Sequence, residues 1–116
     1  MSFTFKEEKR GDVNIIFIEG KILENQEDNP LLVEIGSNPS VQKWLFDLSK
    51  MTTMNSSGIN LFIKCFTRVR NHGGEMVFCS IPDSIKKLLI ITKLDTIFTI
   101  CADIESGLKQ LNTTQV

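Results

Sequence analysis

Histidine is nearly absent from this chain: His72 is the single copy among 116 residues. It stands beside Gly73 and Gly74 in what reads as an exposed turn, with no serine or cysteine and orienting acid to accompany it. That argues against a nucleophilic triad. There is no P-loop, no cluster with metal-ligand spacing and no nucleophile–base pair. Neither an enzyme nor a bound metal or cofactor is therefore expected. Asp12, in a turn, and Asp47, at a strand end, read as structural acids. Cysteine is scarce too. Cys65, Cys79 and Cys101 are odd in number, form no CxxC and each fall inside an apolar stretch. They are expected to be reduced, buried thiols of a cytosolic protein, not a disulfide or metal framework.

No apolar run approaches the ~20 residues needed to span a bilayer. Charge arrives by Lys6, too early for a signal peptide, so a cytoplasmic location is expected. Neither sign of charge dominates: 13 basic against 14 acidic residues leave a net charge of -1. That speaks against a nucleic-acid binder working through bulk electrostatics. Lys86-Lys87 is too short a basic run for a lipid or nucleic-acid contact. Repeats and linkers are missing as well.

What is present is the composition of one globular unit, with 41% hydrophobic and 23% charged residues. A single domain over residues 1–116 is expected, with 112–116 as a polar frayed tail. Phe3 to Lys6 and Val13 to Glu19 alternate or are β-branched, and Gly11-Asp12 turns between them, so they predict a hairpin. Gly20 to Leu23 leaves the second strand. After the polar stretch Glu24–Asn29, Pro30 opens a helix with Leu31, Leu32 and Ile35 on one stripe. Trp44 to Leu48 predicts a central strand, with Trp44 in the core.

Ile59, Phe62, Ile63, Phe66 and Val69 repeat at helical spacing after Ser57, and Asn71-His72-Gly73-Gly74 ends that helix. A strand at Glu75–Cys79, a helix at Asp83–Ile91 with Lys86-Lys87 outward, and a strand at Ile97–Ile100 follow. A last helix is capped by Asp103 and carries Ile104, Leu108 and Leu111 on one face. The order β-β-α-β-α-β-α-β-α predicts an α/β fold: a mixed, mostly parallel sheet of four to five strands covered by about four helices.

Candidate functional residues gather where the central strand hands over to the long helix. Ser56 and Ser57 fall at a helix N-terminus, where backbone N–H groups and the macrodipole favour negative charge. Either serine could simply cap the helix, or one could accept a phosphate that blocks a partner. Gly58 implies close backbone approach, by a neighbouring strand or by the partner. Thr52, Thr53, Met54 and Asn55 lead in, Asn60 and Lys64 follow on the polar face, and Glu19 and Lys21 belong to an adjacent strand end. Together they are the candidate docking surface, the alternative being a merely solvated face.

Taken together, Leu45-Phe46-Asp47-Leu48-Ser49, Met54-Asn55-Ser56-Ser57-Gly58-Ile59, Asn71-His72-Gly73-Gly74-Glu75-Met76-Val77-Phe78 and Leu94-Asp95-Thr96-Ile97-Phe98 resemble STAS domains. More narrowly, the chain is similar to bacterial anti-sigma factor antagonists. The resemblance implies a partner-switching protein that binds an anti-sigma factor, itself a serine kinase. It also implies release on phosphorylation of Ser57, with Ser56 the runner-up, and resetting by a phosphatase. The expected assembly is a monomer or weak dimer, without nucleic acid and without membrane insertion. Asn55 stands where the family usually has Asp, which removes one charge beside the acceptor. That departure motivates the alternative of an unphosphorylated STAS scaffold or transporter-associated STAS subunit.

Overall fold

The fold opens on an eight-residue strand whose first residue, Phe3, is buried and whose last five are exposed. In the computed structural model, which describes residues 3–113, β1 (Phe3–Arg10) extends through Lys6–Arg10 instead of stopping at Lys6. Main-chain pairing to β2 (Val13–Ile22) carries it there, antiparallel from Phe3↔Gly20 to Arg10↔Val13. Gly11 takes φ +60° in the two-residue turn between them, the left-handed geometry that such hairpins require. β2 likewise runs past Gly20 to Ile22.

α1 (Pro30–Gly36) follows, with Asn29 as its cap: its Oδ1 accepts from the Leu31 N–H at 3.0 Å. β3 (Lys43–Met54) is far longer than the apolar run Trp44–Leu48. The remaining elements are α2 (Ser56–Asn71), β4 (Glu75–Cys79), α3 (Asp83–Ile91), a 3₁₀ turn at Leu94–Thr96, β5 (Thr99–Cys101) and α4 (Ile104–Thr113). The last strand lies two residues later than its apolar run suggests, because Phe98 turns inward, 4% exposed, to stack on Phe66 and Phe78. The C-terminal tail begins later as well. Asn112 and Thr113 belong to α4, and residues 114–116 lie outside the described residues.

The sheet order is β1-β2-β3-β4-β5, antiparallel at β1–β2 and parallel at every later pairing. β3 is central, and Lys43 to Leu48 are all buried, the unbroken burial of a strand covered on both faces. Trp44, Phe46 and Leu48 join residues of α1, α2 and α3 in the larger core. Leu45 points the other way, with Val13, Ile15, Val77 and Cys79, toward Leu111 of α4.

Phe78 anchors the larger core, with ring centroids 5.7 Å from Phe46, 5.0 Å from Phe62 and 4.9 Å from Phe98. Asp103 Oδ1 accepts from the Ser106 N–H at 2.8 Å, and Ser106 Oγ accepts in return from the Asp103 N–H at 3.2 Å, a reciprocal cap on α4. Cys65 and Cys79 are buried, whereas Cys101, on the short edge strand, is only half-buried. His72 stands in a turn as expected, but half-buried instead of exposed. It is the C-cap of α2.

Candidate functional site

The carboxyl end of β3 delivers the chain to the start of α2. There β3 still pairs with β2, Lys21 opposite Thr53 and Ile22 opposite Met54. Thr52 Oγ1 donates to Gly20 O at 3.2 Å across the same junction. Asn55, extended at φ -113° and ψ -170°, ends the strand and caps the helix. Its Oδ1 accepts from the Gly58 N–H at 3.0 Å, and its carbonyl accepts from the Ile59 N–H at 3.1 Å.

This overturns the reading of Ser56 or Ser57 as the cap. Asparagine is as good a cap as serine, and standing one residue earlier it takes the role. The serines become the first two residues of the helix proper. Ser56 is exposed and Ser57 half-exposed. Neither hydroxyl has a hydrogen-bond partner among the described residues. α2 carries no acidic residue in its first turn, so the positive end of its dipole is not offset there.

Gly58 is held by its own fold. A Cβ on it would lie 2.5 Å from the Ile22 carbonyl oxygen and 3.0 Å from the Met54 Cβ. Of the two explanations for this glycine, the neighbouring strand is the one realised. Met54 itself is 7% exposed and packs beneath the helix start, so its side chain belongs to the core.

The other candidate residues separate by geometry. Thr53, Asn55, Ser56 and Asn60 are exposed around the junction. Glu19, paired with Lys50, borders a groove of about 300 Å³ with Phe17, Asp47 and Ser49. Lys21 borders a different cavity of about 240 Å³, shared with Phe3, Leu23, Asp28 and Asn29. Lys64 is occupied. Its Nζ donates to Asn25 O at 2.7 Å and pairs with Glu27 at 3.3 Å.

Glu27 also pairs with Arg68 at 3.1 Å, and Arg68 donates to Leu32 O at 3.3 Å. Hydrogen bonds from Lys64 and then Arg68 hold the Glu27 carboxyl below its ordinary range. These contacts strap the segment between β2 and α1 onto α2. Sequence reasoning missed Glu27 because its partners lie some forty residues away, with no local pattern to announce them. Among the described residues no group of three His, Cys, Asp or Glu could hold a metal ion, and no helix is long and apolar enough to cross a membrane.

Residues 5–107 match the model of the STAS domain, and the chain belongs to that family. Solved structures share its fold at low identity. An anti-sigma factor antagonist from Mycobacterium paratuberculosis is 18% identical, with a TM-score of 0.77 over 96% of this chain and 95% of that one. A serine-to-glutamate variant of RsbS from Moorella thermoacetica is 15% identical, with a TM-score of 0.71 over 95% and 96%. The Bacillus cell fate determinant SpoIIAA, in its phosphorylated form, is 13% identical, with a TM-score of 0.66 over 92% and 98%.

Proposed function

We propose that this chain is an anti-sigma factor antagonist whose binding is switched by phosphorylation of Ser57. The observation that carries the reading is the division of labour at the start of α2. Asn55 performs the capping, so the half-exposed Ser57 hydroxyl has no structural duty. The family membership and the antagonist folds it resembles support the same assignment.

In the unmodified state the β3–α2 junction, from Thr52 to Asn60, packs against an anti-sigma factor that is also a serine kinase. The antagonist thereby releases the sigma factor. It is the kinase's substrate and performs no chemistry of its own. A phosphate on Ser57 is compatible with this chain, because it meets the N–H groups of the first helical turn and no acidic residue of that turn. In a packed interface the same group brings a charge near −2 that must be desolvated. A penalty of about 3 kcal/mol would weaken binding roughly a hundredfold. A phosphatase restores the binding form. The whole chain acts as one such unit in the cytoplasm.

The test is intact-mass analysis of the chain from its native host, with fragmentation to locate the modification, repeated on Ser57→Ala and Ser56→Ala. A phosphate lost only in Ser57→Ala is the expected result, and one lost only in Ser56→Ala moves the acceptor by a residue. Titration of the modified and unmodified chain against the anti-sigma factor should then show the affinity difference. Equal affinities would refute the switch. Absence of phosphate under several growth conditions, with co-purifying transport proteins, would favour the unphosphorylated scaffold that Asn55 suggests.

A further inference from the structure

Three isoleucines at the end of α3 are the most exposed large apolar side chains among the described residues. Ile90 is 51%, Ile91 77% and Ile97 57% exposed. They share one knuckle of chain. α3 ends at Ile91, Lys93 reverses the direction in a left-handed conformation at φ 62°, and the 3₁₀ turn leads to Ile97. The knuckle is well braced. Lys93 N–H donates to Ile90 O at 3.0 Å, Thr92 Oγ1 to Leu88 O at 2.9 Å, and Thr96 Oγ1 to Lys93 O at 2.7 Å. Beneath it Ile85, Leu89, Leu94 and Phe98 are buried. The outward isoleucines are therefore held in place with half or more of their surface bare, which marks an interaction surface.

The charges around them are of both signs. Lys86 and Lys87 precede Ile90 and Ile91 by one helical turn on the outer side of α3, and Lys93 and Asp95 follow. None of the four forms an ion pair among the described residues. Asp83 opens α3, two turns before Ile91. An anionic bilayer is recognised by clusters of like positive charge. An apolar centre with a mixed-sign rim instead matches a protein interface.

We propose that this knuckle is a self-association surface on which a second copy of the chain packs about a two-fold axis, α3 antiparallel to α3. In that arrangement Ile90 and Ile91 meet their own counterparts, and Lys86 and Lys87 of each copy approach Asp95 of the other. Such self-complementarity is what a two-fold contact requires. Three isoleucines fall short of the roughly 800 Å² per partner of a standard interface, so the dimer is weak. A dissociation constant on the order of 100 μM is expected. Because β4 and β5 are parallel, α3 returns to the amino ends of the strands. The contact therefore lies at the opposite end of the sheet from Ser57, whose surroundings stay open in both copies.

Sedimentation equilibrium of the full chain tests this. Reversible dimerisation should disappear in Ile91→Asp, whose urea midpoint should move only slightly because the side chain is 77% exposed. Lys86→Glu/Lys87→Glu and Asp95→Lys should each be monomeric alone. Their equimolar mixture should dimerise, since both cross-contacts then pair opposite charges. A chain that stays monomeric to millimolar concentration, self-association that survives Ile91→Asp, or a mixture that fails to dimerise would each overturn the proposal. So would binding of the monomer to phosphatidylserine vesicles that Ile91→Asp abolishes.

Discussion

Gly58 donates its backbone N–H to the Asn55 side-chain oxygen at 3.0 Å, and this one bond turns β3 into α2. Asn55→Ala is expected to cost about 1 kcal/mol, the usual value for a lost N-cap. Asn55→Asp keeps the acceptor and places a negative charge at the positive end of the helix, so it should match or slightly exceed wild-type stability at low salt. Urea unfolding of the three chains checks both. Equal midpoints for Asn55→Ala and wild type would show that the cap is dispensable.

Gly58→Ala should destabilise more than Gly107→Ala. At Gly58 the added carbon meets a backbone oxygen, Ile22 O at 2.5 Å, which a side-chain rotation cannot relieve. At Gly107 it meets Leu45 Cδ1 at 2.6 Å, the end of a flexible side chain. Overpacking of the first kind costs about 1–3 kcal/mol. Both glycines are helical and both variants gain helix propensity, so the difference between them comes from the clash. Equal losses in urea titrations would contradict this ordering.

Phe78→Ala should be among the most damaging single changes. Its ring is fully buried and touches three other aromatic rings. Loss of about 3–5 kcal/mol is expected, a large share of the stability of a domain this size. Phe66→Ala, on a half-buried ring that packs on Phe98, should cost less. Thermal melts of the two variants rank them directly.

Stability should fall in alkaline solution. Burial pushes the Cys65 thiol up from its ordinary 9.0 to about 12. Burial, followed by the nearby Asp47 carboxylate, pushes Cys79 up to about 12 as well. A raised pKa in the folded chain favours the neutral thiol there, while the unfolded chain ionises from 9.0 upward. The stabilisation is thus complete below 9.0 and is lost as pH climbs toward 12. Each thiol contributes up to about 1.4 kcal/mol per pH unit. Urea midpoints on either side of pH 9.0 measure the slope. Cys65→Ala should be less stable throughout but should show a shallower slope, and an unchanged slope would refute the assignment.

Periodicity made most of the fold legible. The apolar stripe of α2, the unbroken run Trp44–Leu48 and the Pro30 and Asp103 helix starts each carry their information within one or two turns of chain. Three of the displaced boundaries have a common cause. β1 through Arg10, β2 through Ile22 and β3 through Met54 continue because neighbouring strands supply main-chain partners, and side-chain patterns do not record such pairing. The start of α2 at the serines was legible, but not which residue caps it. Asn, Ser and Ser are all good caps, and only the backbone geometry at Asn55 shows which one caps.

The amino-acid sequence by itself determined the element types, the two-faced core and the placing of two serines at a helix start, because propensity and hydrophobic spacing act over a few residues. Tertiary structure alone decided that Gly58 lies under the Ile22 carbonyl, that Lys64 and Arg68 are held by Glu27, and that Ile90, Ile91 and Ile97 are left bare on one knuckle. Those relationships join residues distant in the chain, or depend on what fails to cover them. They arise only when the sheet and its helices close around a shared core.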